Sequence, residues 1–265
     1  MKFNNKNFSN IDQIVNKNEE YESIKGEQGK IFKSRNVLFG SLIWVTIGLI
    51  FAIVFTYIQF KFNIVTQIIN SISPTAQLVL YGLIIAGVIF IFIGAWFIYS
   101  MPVWLVFLYY LAITFIEGIF VGWMTALYAQ NWAANNSDFI LLLLIPVGTI
   151  FFMGFLGYFK VFNFDKIWPL LTLLFITIMI TSILVYFISS SWIFTLLAGA
   201  GYLFYSLSIG LQIYRIKNMN ENYFAVQSLT SVEYLKITLI LGTSLLISIF
   251  ELFRYFLMLL SLFKN

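Results

Sequence analysis

The chain alternates between long stretches with almost no polar residue and short polar breaks, after a polar head. Met1 to Asn36 mixes Lys and Arg with Asp and Glu. From there the apolar blocks run from about Val37 to Ile58, Ala76 to Tyr99, Trp104 to Tyr128, Phe139 to Phe159, Ile167 to Ile188, Trp192 to Tyr214 and Tyr234 to Phe263. Each is long enough for a helix to cross a hydrocarbon core, which takes about 20 residues. Strands of a membrane barrel are about ten residues long and alternate apolar with polar. The pattern therefore predicts an all-α polytopic membrane protein with seven transmembrane helices. Residues 1–36 form a polar N-terminal tail, and residues 37–265 the transmembrane domain.

The breaks carry their own signals. Gln59 to Thr75 opens near Lys61 and closes on Pro74, a residue suited to the start of a helix. Pro102 marks a very short turn, and Ala129 to Asp138 is Asn-rich without Lys or Arg. Lys160 to Lys166 contains Asp165, Ser189 to Ser191 is a tight turn, and Arg215 to Glu233 is a long polar loop. Within the blocks, Pro146 and Gly148 predict a kink, and Gly154 and Gly157 predict close helix packing. Gly199, Gly201 and Gly210 interrupt the sixth block. With seven crossings, the head, the Lys160/Lys166 loop and the Arg215/Lys217/Lys236 region share one side. Lys and Arg favour the cytoplasmic side. The expected protein is thus a multi-pass cell-membrane protein with its N-terminus in the cytoplasm and its C-terminus outside.

Composition narrows the chemistry. The chain is 61% hydrophobic, 20% aromatic and 10% charged, against about 25% charged in soluble domains. Its mean hydropathy is +0.92. No cleavable signal peptide is expected, because the first apolar run is a full-length span. There is no Cys and no His, which excludes disulfides, thiol catalysis and imidazole chemistry. No Ser-His-Asp set, no phosphate-binding glycine loop and no pair of Asp residues inside the blocks is present. The expectation is a protein that is not an enzyme and holds no cofactor. Loop topology accounts for the net charge of +4, so no nucleic-acid partner is implied. The partner implied is the lipid bilayer.

Three charges fall inside the blocks: Glu117, Glu251 and Arg254. Ionisable groups in hydrocarbon are costly, turn inward, pair, and mark paths or sites. Glu251 and Arg254, three apart on a helix, share a face. They read either as a structural stitch or as part of an ion path. Thr114, Ser206, Ser208, Gln212, Thr243, Ser244 and Ser248 are polar positions that can line a wet path or bond neighbouring helices. Glu117 and Glu251 are the only intramembrane carboxylates available to a metal ion.

Four stretches resemble the Bax inhibitor-1-like family: Thr114–Gly122 (TFIEGIFVG), Gly154–Lys166 (GFLGYFKVFNFDK), Leu203–Lys217 (LFYSLSIGLQIYRIK) and Ile249–Ser261 (IFELFRYFLMLLS). The likeness spans most of Asn36 to Phe263. It implies six helices around a central C-terminal seventh and, in bacterial members, a pH-sensitive calcium leak gated by two Asp residues. Here Gln212 and Ser248 stand at those two positions, and Glu251 stands where the family commonly has Asn. The resemblance thus implies Glu117, Gln212, Ser248, Glu251 and Arg254 as candidates for an ion path or gate, with Ca2+ as the transported ion. The alternative is a non-conducting scaffold or quality-control partner that binds other membrane proteins. A secondary transporter, the third reading, would require a broken helix at Pro146/Gly148 or Gly199/Gly201.

Overall fold

A computed structural model describes residues 36–62, 67, 94, 97–132, 136–188, 190–222 and 230–262. The expected tail, most of the expected second span, Ala76 to Tyr99, and most of the Gln59 to Thr75 segment lie outside the described residues. Among the described residues, regular structure is entirely helical: α1 (Val37–Phe62), α2 (Val103–Trp132), α3 (Asn136–Tyr158), a 3-10 turn (Phe164–Ile167), α4 (Trp168–Phe187), α5 (Ser191–Asn222) and α6 (Ser231–Leu262). A backbone in hydrocarbon must satisfy its polar groups internally, and a continuous helix does so. Five of these helices are long and apolar enough to cross a membrane, and α3 contributes a shorter apolar stretch, Leu144–Tyr158. The chain therefore has the architecture of an integral membrane protein.

Helix ends follow local chemistry. The Asn36 side chain accepts a hydrogen bond from the Phe39 N–H and caps α1. Thr230 and Glu233 form a reciprocal capping box at the start of α6: Glu233 N–H donates to the Thr230 hydroxyl oxygen, and Thr230 N–H to the Glu233 carboxylate. This box starts α6 three residues before Tyr234, the expected boundary. At the end of α3, Lys160 takes a left-handed conformation with φ 54°. Val161 N–H then reaches the Leu156 carbonyl and Lys160 N–H the Gly157 carbonyl, the pairing that closes a helix with a left-handed residue just past its end. Pro169 sits in the first turn of α4, where a missing N–H costs nothing.

Two readings are corrected: the start of the polar loop after the sixth block, and the broken helix that a secondary transporter requires. Residues Arg215 to Asn222 are helical, so α5 runs about two turns further than expected and the polar loop after it is shorter. Charged side chains in that extension find partners at the bundle end, so polarity alone did not end the helix. The glycines of α5 and the Pro146/Gly148 pair of α3 do not break their helices, which are continuous.

Glycines set the packing. A Cβ at Gly48 would strike Leu246, one at Gly242 would strike Trp44, and one at Gly40 would strike Tyr234 and Thr238. These contacts advance together along both helices, so α1 and α6 run parallel. Tyr110 donates to the Trp44 carbonyl at 2.6 Å, and a Cβ at Gly118 would lie 3.1 Å from Ala52 Cα. By the same logic α1 and α2 are parallel. In contrast, α5 meets α6 antiparallel, with Gln212 on Ser248 and Tyr205 on Tyr255. α6 packs against α1, α2, α5 and, more lightly, α3. In its apolar stretch 56% of residues are buried, against 17% for α4. The main core gathers Val45, Tyr110, Ile113, Ile209, Leu246 and Leu252 around it.

Candidate functional site: a charged cluster inside the bundle

Glu117 is positioned by its neighbour. Gly118 lies against Ala52 and Phe55 of α1, which leaves Glu117, about 100° further round the helix, on the side shared with buried Thr114. On α6, Glu251 and Arg254 form an ion pair with Nη2 2.5 Å from Oε2. The Glu251 side chain is only 12% exposed and that of Arg254 32%, so both turn mainly inward. Glu117 lies within electrostatic reach of both, so the three charges expected inside the membrane act on one another. Glu251 lies about 30 Å along α6 from Ser231 at 1.5 Å per residue.

Two tyrosines complete the cluster. Tyr205 of α5 stacks on Tyr255 of α6, with ring centroids 5.6 Å apart and planes at 22°. The Arg254 guanidinium carbon lies 5.2 Å from the Tyr255 ring centre, within cation–π range. Tyr205 also feels the charges of Glu251, Arg254 and Glu117. The sequence reading missed both tyrosines, because aromatics fill this chain. The usable signal is spacing: Tyr205 falls seven residues before Gln212, and Tyr255 seven after Ser248.

One turn nearer Ser231, Gln212 donates from Nε2 to Ser248 Oγ at 2.7 Å, and Ser248 donates to the Ser244 carbonyl at 3.2 Å. Among the described residues Gln212 Oε1 is buried without a hydrogen-bond partner, a state that costs about 1–3 kcal/mol where nothing relieves it. Three other candidate path-lining hydroxyls are occupied locally. Thr114 bonds the Tyr110 carbonyl, Ser206 that of Tyr202 and Thr243 that of Leu239.

The five candidate positions thus form two adjacent groups. Gln212 and Ser248 make a neutral pair, and Glu117, Glu251 and Arg254 make a charged cluster. Among the described residues no group of three or more His, Cys, Asp or Glu could hold a metal ion. Calcium takes six to eight oxygen ligands, and two carboxylates, one already on an arginine, are a poor start for a resident site.

Of the cationic residues expected on one side, Lys160, Arg215, Lys217 and Lys236 gather at one end, and the head lies outside the described residues. Lys160 and Lys217 pair with Glu221, and Arg215 pairs with Asp165 at 3.6 Å. Lys236 donates to the Tyr99 carbonyl, and Asn220 accepts from Val37 N–H. The start of α1, the end of α5 and the start of α6 therefore lie together.

Fold and site together define a helical membrane protein with an acid–arginine cluster inside its bundle. Comparison with protein-family models, with curated proteins and with solved structures finds no match to this chain.

Proposed function

We propose that the chain is a divergent Bax inhibitor-1-like protein that conducts cations, calcium among them, across the cell membrane, or regulates ion homeostasis there. The observation that carries this reading is the inward-facing Glu251–Arg254 pair with Glu117 in electrostatic reach. Charges buried at this depth in a membrane bundle ordinarily serve a path or a site. The order of helices supports the family. α1 and α2 are consecutive described helices that run parallel, which supports one further passage in the chain between them. With that passage the proposed count is seven, and α6 is the most buried of the described membrane-length helices. Gathering of Lys160, Arg215, Lys217 and Lys236 at the end where α1 begins supports a cytoplasmic N-terminus.

In this reading the ion pair is the closed gate. Arg254 holds Glu251, and release of that pair admits a cation to the carboxylates. Continuity of α3 and α5 speaks against the transporter alternative, which calls for a break at Pro146/Gly148 or Gly199/Gly201. The scaffold reading has one observation in its favour: Thr114, Ser206 and Thr243 bond their own helices and leave no polar lining there. Calcium flux into proteoliposomes separates the two. Conduction predicts flux in the parent and a changed rate in Glu251→Gln. Equal flux from both rejects Glu251 as the gate, and no flux from the parent favours the scaffold.

A further inference from the structure

Three residues of α5 lie on one face at helical spacing: Tyr205, Ser208 and Gln212. On α6, Ser244, Ser248, Glu251 and Tyr255 do the same. The two faces meet. Gln212 bonds Ser248 at one level, and Tyr205 stacks on Tyr255 about two turns away. A helix pair in a membrane normally packs through small or apolar side chains with an occasional polar contact. Here polar residues follow one another along the shared seam, from Gln212 to the charged cluster. Elsewhere on α6 Leu245, Leu246, Ile249 and Leu252 are buried, and the buried threonines Thr238 and Thr243 bond carbonyls of their own helix.

The seam also holds a polar atom that the protein leaves unanswered. Gln212 spends its amide N–H on Ser248, while its carbonyl oxygen is buried and receives no donor among the described residues. Ser248 cannot turn its hydrogen to it, because Ser248 donates to the Ser244 carbonyl. Buried polar groups of this kind are ordinarily met by ordered water. A carboxylate and a guanidinium on the same seam, neither wholly enclosed, can take water in the same way.

We infer that the α5–α6 seam is hydrated: water bonds Gln212 Oε1 and continues past Ser208 to Glu251, joining the neutral pair to the charged cluster. The inference deepens the conduction reading and rests on it for its purpose, since the seam supplies the wet route on which Glu251 is the gate. The water itself rests only on the geometry of the two faces.

The absence of cysteine from the chain makes the test clean. Single cysteines are placed at Ser248, at Ser208 and, as a dry control at the same depth, at Leu246, which packs on α1. Silver ion, small enough to follow water, is applied to the full chain in open membrane fragments. After quenching and denaturation, the thiols left free are counted with a fluorescent maleimide. Only variants that elute from detergent like the parent are scored, and the two seam positions back each other up. A thiol reacts as its thiolate, which an apolar surrounding suppresses, so Ser248→Cys and Ser208→Cys are expected to react at least about tenfold faster than Leu246→Cys. Rates no faster than that control overturn the hydrated seam. Fast reaction in a protein without calcium flux supports the seam and sinks the conduction reading. Slow reaction in a protein that conducts overturns the seam and leaves conduction standing.

Discussion

At the scale of single residues, the chemistry rests on how an acid is held. Glu251 has its arginine one turn away, and both were visible in the sequence because charges are so scarce in the apolar blocks. Their inward aim was an expectation from the cost of burying charge, and the 12% exposure of Glu251 agrees with it. The tyrosines around them were not visible, since nothing in their neighbourhood sets two Tyr apart from the rest. Orphaning of Gln212 Oε1 was equally hidden, because it depends on where Ser248 sends its proton. A direct consequence concerns the pair. Glu251→Gln leaves a guanidinium inside the bundle without its counter-charge and is expected to cost about 3–5 kcal/mol of stability. Glu251→Gln combined with Arg254→Gln removes both charges and should cost less than the single change. Unfolding in detergent micelles measures both, and a double variant weaker than the single one would show that the pair is not coupled.

Among the elements, apolar block length located the helices well, and local chemistry at the ends moved the boundaries. The Thr230-x-x-Glu233 box is a sequence signal for the start of α6 that the apolar pattern alone passes over. The extension of α5 to Asn222 was illegible in a polar run, because the partners of Lys217 and Glu221 include Tyr158 and Lys160 from beyond the helix. Glycines divide by their surroundings, which sequence does not reveal. Gly157 approaches the Gly210 backbone carbonyl so closely that a Cβ has no room, whereas Gly199 has nothing within 4 Å of such a Cβ. Gly157→Ala is therefore expected to destabilise by about 1–3 kcal/mol through overpacking against backbone. Gly199→Ala should be neutral or stabilising by up to about 1 kcal/mol, since alanine is the better helix former. Thermal unfolding of the two variants checks the contrast, and equal effects would contradict the assigned α3–α5 approach.

For the whole molecule, the charged rim and the helix directions point the same way. Lys160, Arg215, Lys217 and Lys236 collect where α1 begins, as loop charges had suggested. The parallel course of α1 and α2 was not legible, because an apolar block carries no direction. It emerges only from which residues touch, such as Tyr110 on Trp44. Because α1 and α6 run parallel, the start of α1 and the end of α6 lie at opposite ends of the bundle, as the proposed seven passages require. A reporter active only in the cytoplasm should therefore work when inserted between Tyr223 and Gln227 and fail when fused after Asn265. Activity at both positions would rule out the seven-passage topology.

The central claim is that Glu117, Glu251 and Arg254 share one interior. Its most direct test is a double-mutant cycle across two helices, with Glu117→Gln, Arg254→Gln and the combined variant compared by unfolding. Groups in one electrostatic network interact by about 0.5–3 kcal/mol, whereas separated groups add to within about 0.3–0.5 kcal/mol. A coupling above about 1 kcal/mol is the predicted result on that scale. Simple additivity would place the two residues in separate surroundings and contradict the shared cluster.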